Sequence, residues 1–278
     1  MEQQTALWNG RAGQAWVSAQ AMLDEVFRPF EDLLVAAVRG GSVLDVGCGT
    51  GGTTVAAARK VGPGGRCVGV DIAEPMVAAA RERAGREGVP AVFVQADAQE
   101  HDFGAAAFDT VISRFGVMFF ADSVRAFTNL RRAAAPGAVL RAVTWRGVEE
   151  NPFMTTAERA AAPLLPSLPA RRPDAPGRFA FADPAKVRGI LRDAGWTAVD
   201  IRPLDVPCAF PEASLVPYFT RLGPLGLVLG DVAEPARTRI VETVRAAFAP
   251  FVQGDEVRFT AACWQVDAHA PAAVVTSG

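Results

Sequence analysis

Apolar residues recur at helical spacing through Ala15, Trp16, Ala19, Met22, Leu23, Val26 and Phe27, then from Phe30 to Val38, with a break near Pro29. That period turns one face of each segment toward a core and predicts two short helices over 12–38. Past Gly40-Gly41 the period changes. Short apolar runs at Ser42–Val46, Cys67–Val70, Ala91–Gln95, Phe108–Ser113 and Ala138–Trp145 read as buried strands. Helical patterns at Thr50–Val61, 75–86 and Ser123–Ala134 alternate with them. Gly62-Pro63-Gly64-Gly65 stops the first of these helices, and Pro75 suits the first turn of the second. Strands regularly separated by helices predict an α/β fold with a doubly wound parallel sheet, and right-handed crossovers put helices on both faces.

After Trp145 the rhythm is lost. Residues 146–178 hold six prolines, which predicts a proline-rich crossover along the upper edge of the sheet. Pro184–Asp193 reads as a helix closed by Ala194-Gly195, and Thr197–Pro207 as strand six. Leu215–Leu222 and Ala236–Phe251 form an inserted helical pair, a lid at about 211–253. Glu256–Ala268 alternates like a seventh strand. The expected organisation is cap helices over 1–39, a core over 40–145, and the crossover, last strands and lid over 146–278.

The chain has 278 residues, half of them apolar, with net charge −2. Its 28 basic residues include only two lysines, Lys60 and Lys186, and no basic run that would track a phosphate backbone, so no nucleic-acid partner is expected. Apolar runs such as 225–229 are too short to span a bilayer, and the polar start Met1-Glu2-Gln3-Gln4-Thr5 lacks a signal-peptide pattern. Cys48, Cys67, Cys208 and Cys263 are too scattered for a zinc or redox motif. The expectation is a soluble cytoplasmic protein with no metal and no membrane partner, leaving a homodimer open.

Candidate chemistry collects at the strand ends, where open α/β sheets bind ligands. Gly47, Gly49 and Gly51 let the backbone turn and approach a ligand, and Thr50 leads into the following helix with its free N–H groups. Asp71, about 20 residues on, is placed for two ribose hydroxyls. Asp97 can accept from an adenine amino group while the Ala98 N–H meets a ring nitrogen. Asp45 can orient the loop or accept from a cationic amino group. Gly47, Gly49 and Gly52 equally satisfy G-x-G-x-x-G, so an NAD(P)-dependent oxidoreductase stays a rival. Against it stand Asp45 and Asp97, and the absence of a Tyr-x-x-x-Lys pair: the only tyrosine, Tyr218, has Leu222 four positions later.

Val43–Thr50, Val70-Asp71 with Met76, Asp97-Ala98, Phe108-Asp109 and Leu130–Gly137 resemble the successive motifs of class I S-adenosylmethionine (SAM)-dependent methyltransferases, most closely the ubiquinone/menaquinone C-methyltransferase-like branch. The resemblance covers 40–145 and, more loosely, the opening Trp8-Asn9…Gly13…Trp16. It implies a Rossmann-like seven-stranded sheet with the last strand antiparallel, and SAM as cofactor. It assigns the methionine part of SAM to Gly47, Gly49 and Gly51, the ribose to Asp71 and the adenine to Asp97 and Ala98, with Ile72 or Met76 against the ring. Ser113, Arg114 and Phe115 would border the sulfonium and substrate. Trp8 and Trp16 suit either plain core on amphipathic helices or a fold over the cofactor. Ala73 departs from a family serine that caps the next helix, a loss of roughly 1 kcal/mol.

For the acceptor, Phe115, Met118, Trp145, Phe153 and Tyr218 are the candidate wall, although each also suits a core. The lid carries Phe210, Phe219, Leu222, Leu225, Leu227, Val228, Phe248 and Phe251, which predicts a hydrophobic, aromatic or polyketide-like small molecule with an O-, C- or N-acceptor. SAM is already activated, so proximity and in-line alignment suffice. No general base stands out: His101 and His269 lie off the site, Glu149 and Glu150 read as surface, and Arg114 and Tyr218 are weak catalytic candidates. Cys48 reads as filler in the glycine loop and Cys208 as core. A third class is a SAM-binding protein of the same fold without methyl transfer.

Overall fold

The computed structural model describes residues 2–169, 171–172 and 175–273. Four helices come first: α1 (Glu2–Asn9), α2 (Arg11–Ser18), α3 (Gln20–Val26) and α4 (Arg28–Ala37). The two helices expected over 12–38 are therefore three. Pro29 does not break the helix it sits in, because it occupies the first turn of α4, where a missing N–H costs nothing. The separation falls at Ala19 and at Phe27, a residue whose backbone leaves the helical region.

The core then runs β1 (Ser42–Val46), α5 (Gly52–Val61), β2 (Arg66–Asp71), α6 (Glu74–Glu87), β3 (Ala91–Gln95), β4 (Phe108–Arg114), α7 (Ser123–Ala133) and β5 (Ala134–Trp145). Next come α8 (Pro152–Ala161), α9 (Pro184–Asp193), β6 (Thr197–Pro211), α10 (Leu215–Arg221), α11 (Gly223–Val228), α12 (Ala236–Ala247), the two-residue β7 (Val252–Gln253) and β8 (Glu256–His269). The sheet order is β3-β2-β1-β4-β5-β8-β6, with β7 a short flap on β8. Strands β1 to β5 pair in parallel, and β8 lies antiparallel between β5 and β6. This is the expected Rossmann-like sheet with its seventh long strand reversed and a helical lid between β6 and β8.

Two expectations need correction. The proline-rich crossover contains a helix that was not expected, for Pro152 starts α8, whose buried Phe153, Thr155, Thr156 and Ala161 mark an inward face. The lid has a third helix, α11, opened by Gly223-Pro224. Helix α4 packs on α5, and α7 on α9, so the sheet is covered on both faces. Phe30, Leu34, Leu44, Phe108, Phe127 and Leu130 are buried to about 1% or less between these layers.

Candidate functional site

The strand order reverses between β1 and β4, and their C-terminal ends open a crevice there. The loop after β1 is fixed by its backbone: the N–H groups of Gly47 and Cys48 both donate to the Val70 carbonyl, at 2.8 and 3.0 Å. Gly47 has φ +69°, and a methyl group on it would sit 2.6 Å from Gly116 Cα in the loop after β4. Two backbones thus pass where no side chain fits. Asp71 braces the arrangement from β2, accepting from Gly49 N–H at 2.8 Å and from Ala73 N–H at 3.0 Å. The Ile72 N–H also donates to it, and the carboxylate keeps about one of its roughly four lone-pair sites for a ligand hydroxyl. Burial raises the Asp71 carboxyl above its ordinary range, against the pull of these backbone donors. Below the loop, Asp45 is 1% exposed and accepts from the Thr54 hydroxyl at 2.7 Å. Burial pushes its pKa up to about 6, with the Thr54 bond acting the other way.

One cavity of about 790 Å³ runs from this loop to the lid. Of the residues read from sequence, Asp45, Gly47, Gly49, Thr50, Asp71, Ile72, Met76, Asp97, Ala98, Arg114 and Trp16 line it. So do Phe115, Met118, Trp145, Phe153 and Tyr218. Gly51 and Ser113 are not among the lining residues. A methyl group on Gly51 would meet Ala80 Cβ at 2.8 Å and the Phe93 ring at 2.9 Å, so this glycine permits packing of the loop on α6 and β3. Ser113 is fully buried, donating to the Val46 carbonyl at 2.7 Å and accepting from Gly116 N–H at 3.2 Å; it ties the two loops together from behind. Asp97 lines the cavity with its carboxylate held by the Gln99 side-chain amide at 2.9 and 3.0 Å, a partner the sequence reading missed.

The first helices matter more than their sequence suggested. Asn9 donates to the Ile72 carbonyl at 2.9 Å and accepts from Glu74 N–H at 2.8 Å. The cap that Ala73 lacks is thereby supplied from α1. Trp8 meets Trp16 and Phe119 edge-on, with centroids 6.0 and 5.3 Å apart, and lines the cavity with them. Arg83 bonds Asp24 below the same wall. Arg114 Nη1 is sealed from solvent and has no hydrogen-bond partner among the described residues. Burial lowers its pKa against the opposing fields of Glu31, Asp24 and Asp45. Trp8, Asn9, Trp16 and Arg114 gave a signal in sequence; Asp24 and Arg83 did not, because a charged helix face is ordinarily read as solvated.

Beyond Phe115, which stacks on Trp145 at 4.6 Å, the chamber turns aromatic. Phe153 stacks on Phe259 at 4.0 Å and meets Phe248 and Tyr218 at 5.2 and 5.4 Å. Of the expected lid residues, Phe219, Leu222, Leu225, Leu227 and Phe248 reach the cavity, whereas Phe210, Val228 and Phe251 do not line it and pack elsewhere. The Tyr218 hydroxyl faces Met154 Sδ at 3.8 Å, and burial raises its pKa, so it remains a protonated phenol. Neither it nor the cation Arg114 can serve as a base at neutral pH. His101 packs edge-on to Phe103 at 4.8 Å, half-buried rather than freely solvated. His269, paired with Val139 and Thr197 at the starts of β5 and β6, sits at the opposite edge of the sheet. Cys208 is buried core, while Cys48, also buried, additionally borders the cavity. Among the described residues no cluster of His, Cys, Asp or Glu could hold a metal ion, and no helix is long and apolar enough to cross a membrane.

Residues 43–137 match a methyltransferase-domain family. An uncharacterized protein of Mycobacterium tuberculosis is 32% identical over 195 residues, 69% of this chain and 68% of that one. The chain belongs to the class I SAM-dependent methyltransferases. Within this family its core lies in the menaquinone-like branch. It is 40% identical to a demethylmenaquinone methyltransferase of Thermus thermophilus over 98 residues, 35% of this chain and 44% of that protein. It is 42% identical to the nocamycin O-methyltransferase of Saccharothrix syringae over 102 residues, 35% and 36% of the two chains. Beyond the core the methyltransferase fold persists: a SAM-dependent methyltransferase from Aquifex aeolicus superimposes with TM-score 0.52 at 19% identity, covering 91% of this chain and 98% of the other.

Proposed function

We propose that this protein binds SAM along the glycine loop and transfers its methyl group to a small, largely apolar and aromatic molecule held under the lid. The observation that carries the reading is the single cavity joining buried carboxylates at the strand ends to an aromatic chamber. The residues fit the cofactor. Gly49 turns bare backbone to the cavity, where an added methyl would come no closer than 3.8 Å to Met76 Sδ, Asp71 has a lone-pair site to spare, and Arg114 presents a guanidinium with an unpartnered donor suited to a carboxylate. Asp45 is placed for the ammonium group, Asp97 and Ala98 for adenine, with Ile72 and Met76 against its face and Trp16 above. When bound, SAM supplies an electrophilic methyl on a sulfonium leaving group.

The protein's part is alignment and the exclusion of water. Phe115, Met118 and Trp145 wall the passage from loop to chamber, and Phe153, Tyr218 and the lid leucines hold the acceptor's body. Holding two reactants in line supplies a large entropic advantage, on the order of 7–11 kcal/mol at its upper range. A weakly acidic phenol or enol then needs little help from a base. The similarity to menaquinone and nocamycin methyltransferases supports an acceptor of this kind.

Titration calorimetry with SAM, S-adenosylhomocysteine and NADH, followed by labelled methyl transfer to phenols, quinones and amines, tests the proposal. SAM and its demethylated product should bind in the micromolar range and NADH should not. Asp71→Ala should abolish cofactor binding. Binding of NADH alone would refute the reading, and cofactor binding with no transfer to any acceptor would favour a SAM-binding protein without methyl transfer.

A further inference from the structure

The cavity is electrically divided, and its lid end has an excess of cations that cofactor binding does not employ. Around the glycine loop, among the described residues, four carboxylates line it with a single guanidinium, Arg114: Asp24 of α3, and Asp45, Asp71 and Asp97 at the strand ends. At the other end the order is inverted: among the described residues, Arg171, Arg172, Arg178 and Arg221 line it with one carboxylate, Glu158. In a chain whose net charge is −2, this separation is not a property of the whole surface.

Glu158 is already spoken for. It lies in α8, is 19% exposed, and accepts from Arg171 Nη2 at 2.6 Å, while the Arg171 guanidinium packs over the Phe179 ring at 4.8 Å. That pair fastens α8 to the following loop. Arg178 stands 3.8 Å from the other Glu158 oxygen, too far for a hydrogen bond, and spends Nη1 on the Met154 carbonyl at 3.0 Å. Its Nη2 points toward Gly223 at the start of α11, where even a methyl group would come within 3.5 Å. The Arg178 side chain is 26% exposed. One carboxylate shared by two guanidiniums leaves a positive charge facing a chamber otherwise lined by Phe153, Tyr218, Phe219 and Phe248. In such partly desolvated surroundings an oxyanion gains more from a guanidinium fork than it would in water.

We infer that Arg178, with Arg221 on the rim, selects an acceptor that carries an acidic group on its aromatic body, a carboxylate or a phosphate. This deepens the proposed methyl transfer and rests on it for the word acceptor. The binding preference itself can be read without any transfer.

The test uses the full-length protein saturated with S-adenosylhomocysteine and follows binding of 1-hydroxy-2-naphthoate, 1-naphthyl phosphate and 2-naphthol by fluorescence titration. The wild type should bind at least one of the two anions about tenfold more tightly than 2-naphthol, equivalent to about 1.4 kcal/mol. Whichever anion is preferred identifies the source of the charge. Added salt should narrow the gap. Arg178→Gln should bring the ratio of anion to naphthol affinity to about one, and Arg178→Lys should restore part of it. Arg221→Gln, at an exposed position, should lower the ratio about twofold to threefold, which keeps the test open if the Arg178 variants fold poorly. Equal affinity of all three probes for the wild type, no measurable binding of either anion, or an unchanged ratio in both glutamine variants overturns the inference. Failure of S-adenosylhomocysteine to bind would instead count against the cofactor reading, because the probe titrations can be repeated without it.

Discussion

Gly116→Ala isolates the contact on which the cofactor loop depends. Gly116 has φ −77° and ψ −38°, a conformation alanine prefers, so the substitution carries no backbone strain of its own. In an open site it would stabilise the fold by about 0.4–1 kcal/mol by restricting the unfolded chain. Here the added methyl would lie 2.5 Å from the Val46 carbonyl oxygen and 2.7 Å from Gly47 Cα. Both opponents are backbone, and Gly47 is pinned by its bond to the Val70 carbonyl, so neither can swing aside as a side chain would. Overpacking of this kind costs about 1–3 kcal/mol, and subtracting the unfolded-state gain leaves a net loss of about 1–2 kcal/mol. At roughly 2–4 °C per kcal/mol, the melting temperature should fall by about 2–8 °C. SAM affinity should drop about tenfold, because relief of the clash displaces Gly47 and Gly49. Gly85→Ala is the matched control: Gly85 is exposed within α6 with nothing within 4 Å of the new methyl, and it should gain about 0.5–1 kcal/mol. Urea melts and calorimetry on both variants decide the matter. A Gly116→Ala protein as stable as the wild type, with unchanged SAM affinity, would falsify the steric account.

Three further outcomes follow. Because Asp45 is raised from 3.8 to about 6 by burial, its ionisation opposes folding: the ligand-free protein should lose stability as pH rises between these values, by roughly 3 kcal/mol in all. SAM affinity should rise over the same window, and Asp45→Asn should flatten both profiles; a flat wild-type profile would remove Asp45 from the site. Asn9→Ala should cost about 1 kcal/mol, typical of a lost cap, and should raise KM for SAM more than it lowers kcat. Phe153→Ala, at a ring 2% exposed and stacked on Phe259, should cost about 3–5 kcal/mol, whereas Tyr218→Phe should change stability by less than about 1 kcal/mol and affect acceptor KM alone.

How much of this could be read from the residues depended on whether the signal was local. Helix α9 begins and ends where the sequence placed it, because Asp183 caps it by accepting from Ala185 N–H at 2.8 Å, Pro184 opens it and Gly195 follows with φ +82°. The glycine loop was legible for a similar reason: it needs positive φ, and few residues supply it. Position along the chain does not say which side of a loop a residue faces, and so Gly51 and Ser113 were assigned to the ligand although they hold the loop from behind. Helices α8 and α11 were missed: each opens on a proline, at Pro152 and at Gly223-Pro224, and a proline in a first turn starts a helix without adding to its apolar period. The lid's charge was out of reach altogether: Arg178 and Glu158 are twenty positions apart, and only packing brings α8, the crossover and α11 together.

The Asn9 bridge ties the stability of the first helix to that of the cofactor wall. Its two bonds fasten the first helix to the turn after β2, across 63 and 65 residues of sequence, with Trp8 and Trp16 lining the cavity. A ligand that binds only molecules with this wall in place has its apparent affinity reduced by the fraction in which α1 is detached. Loosening the helix should therefore weaken cofactor binding without changing any residue of the glycine loop.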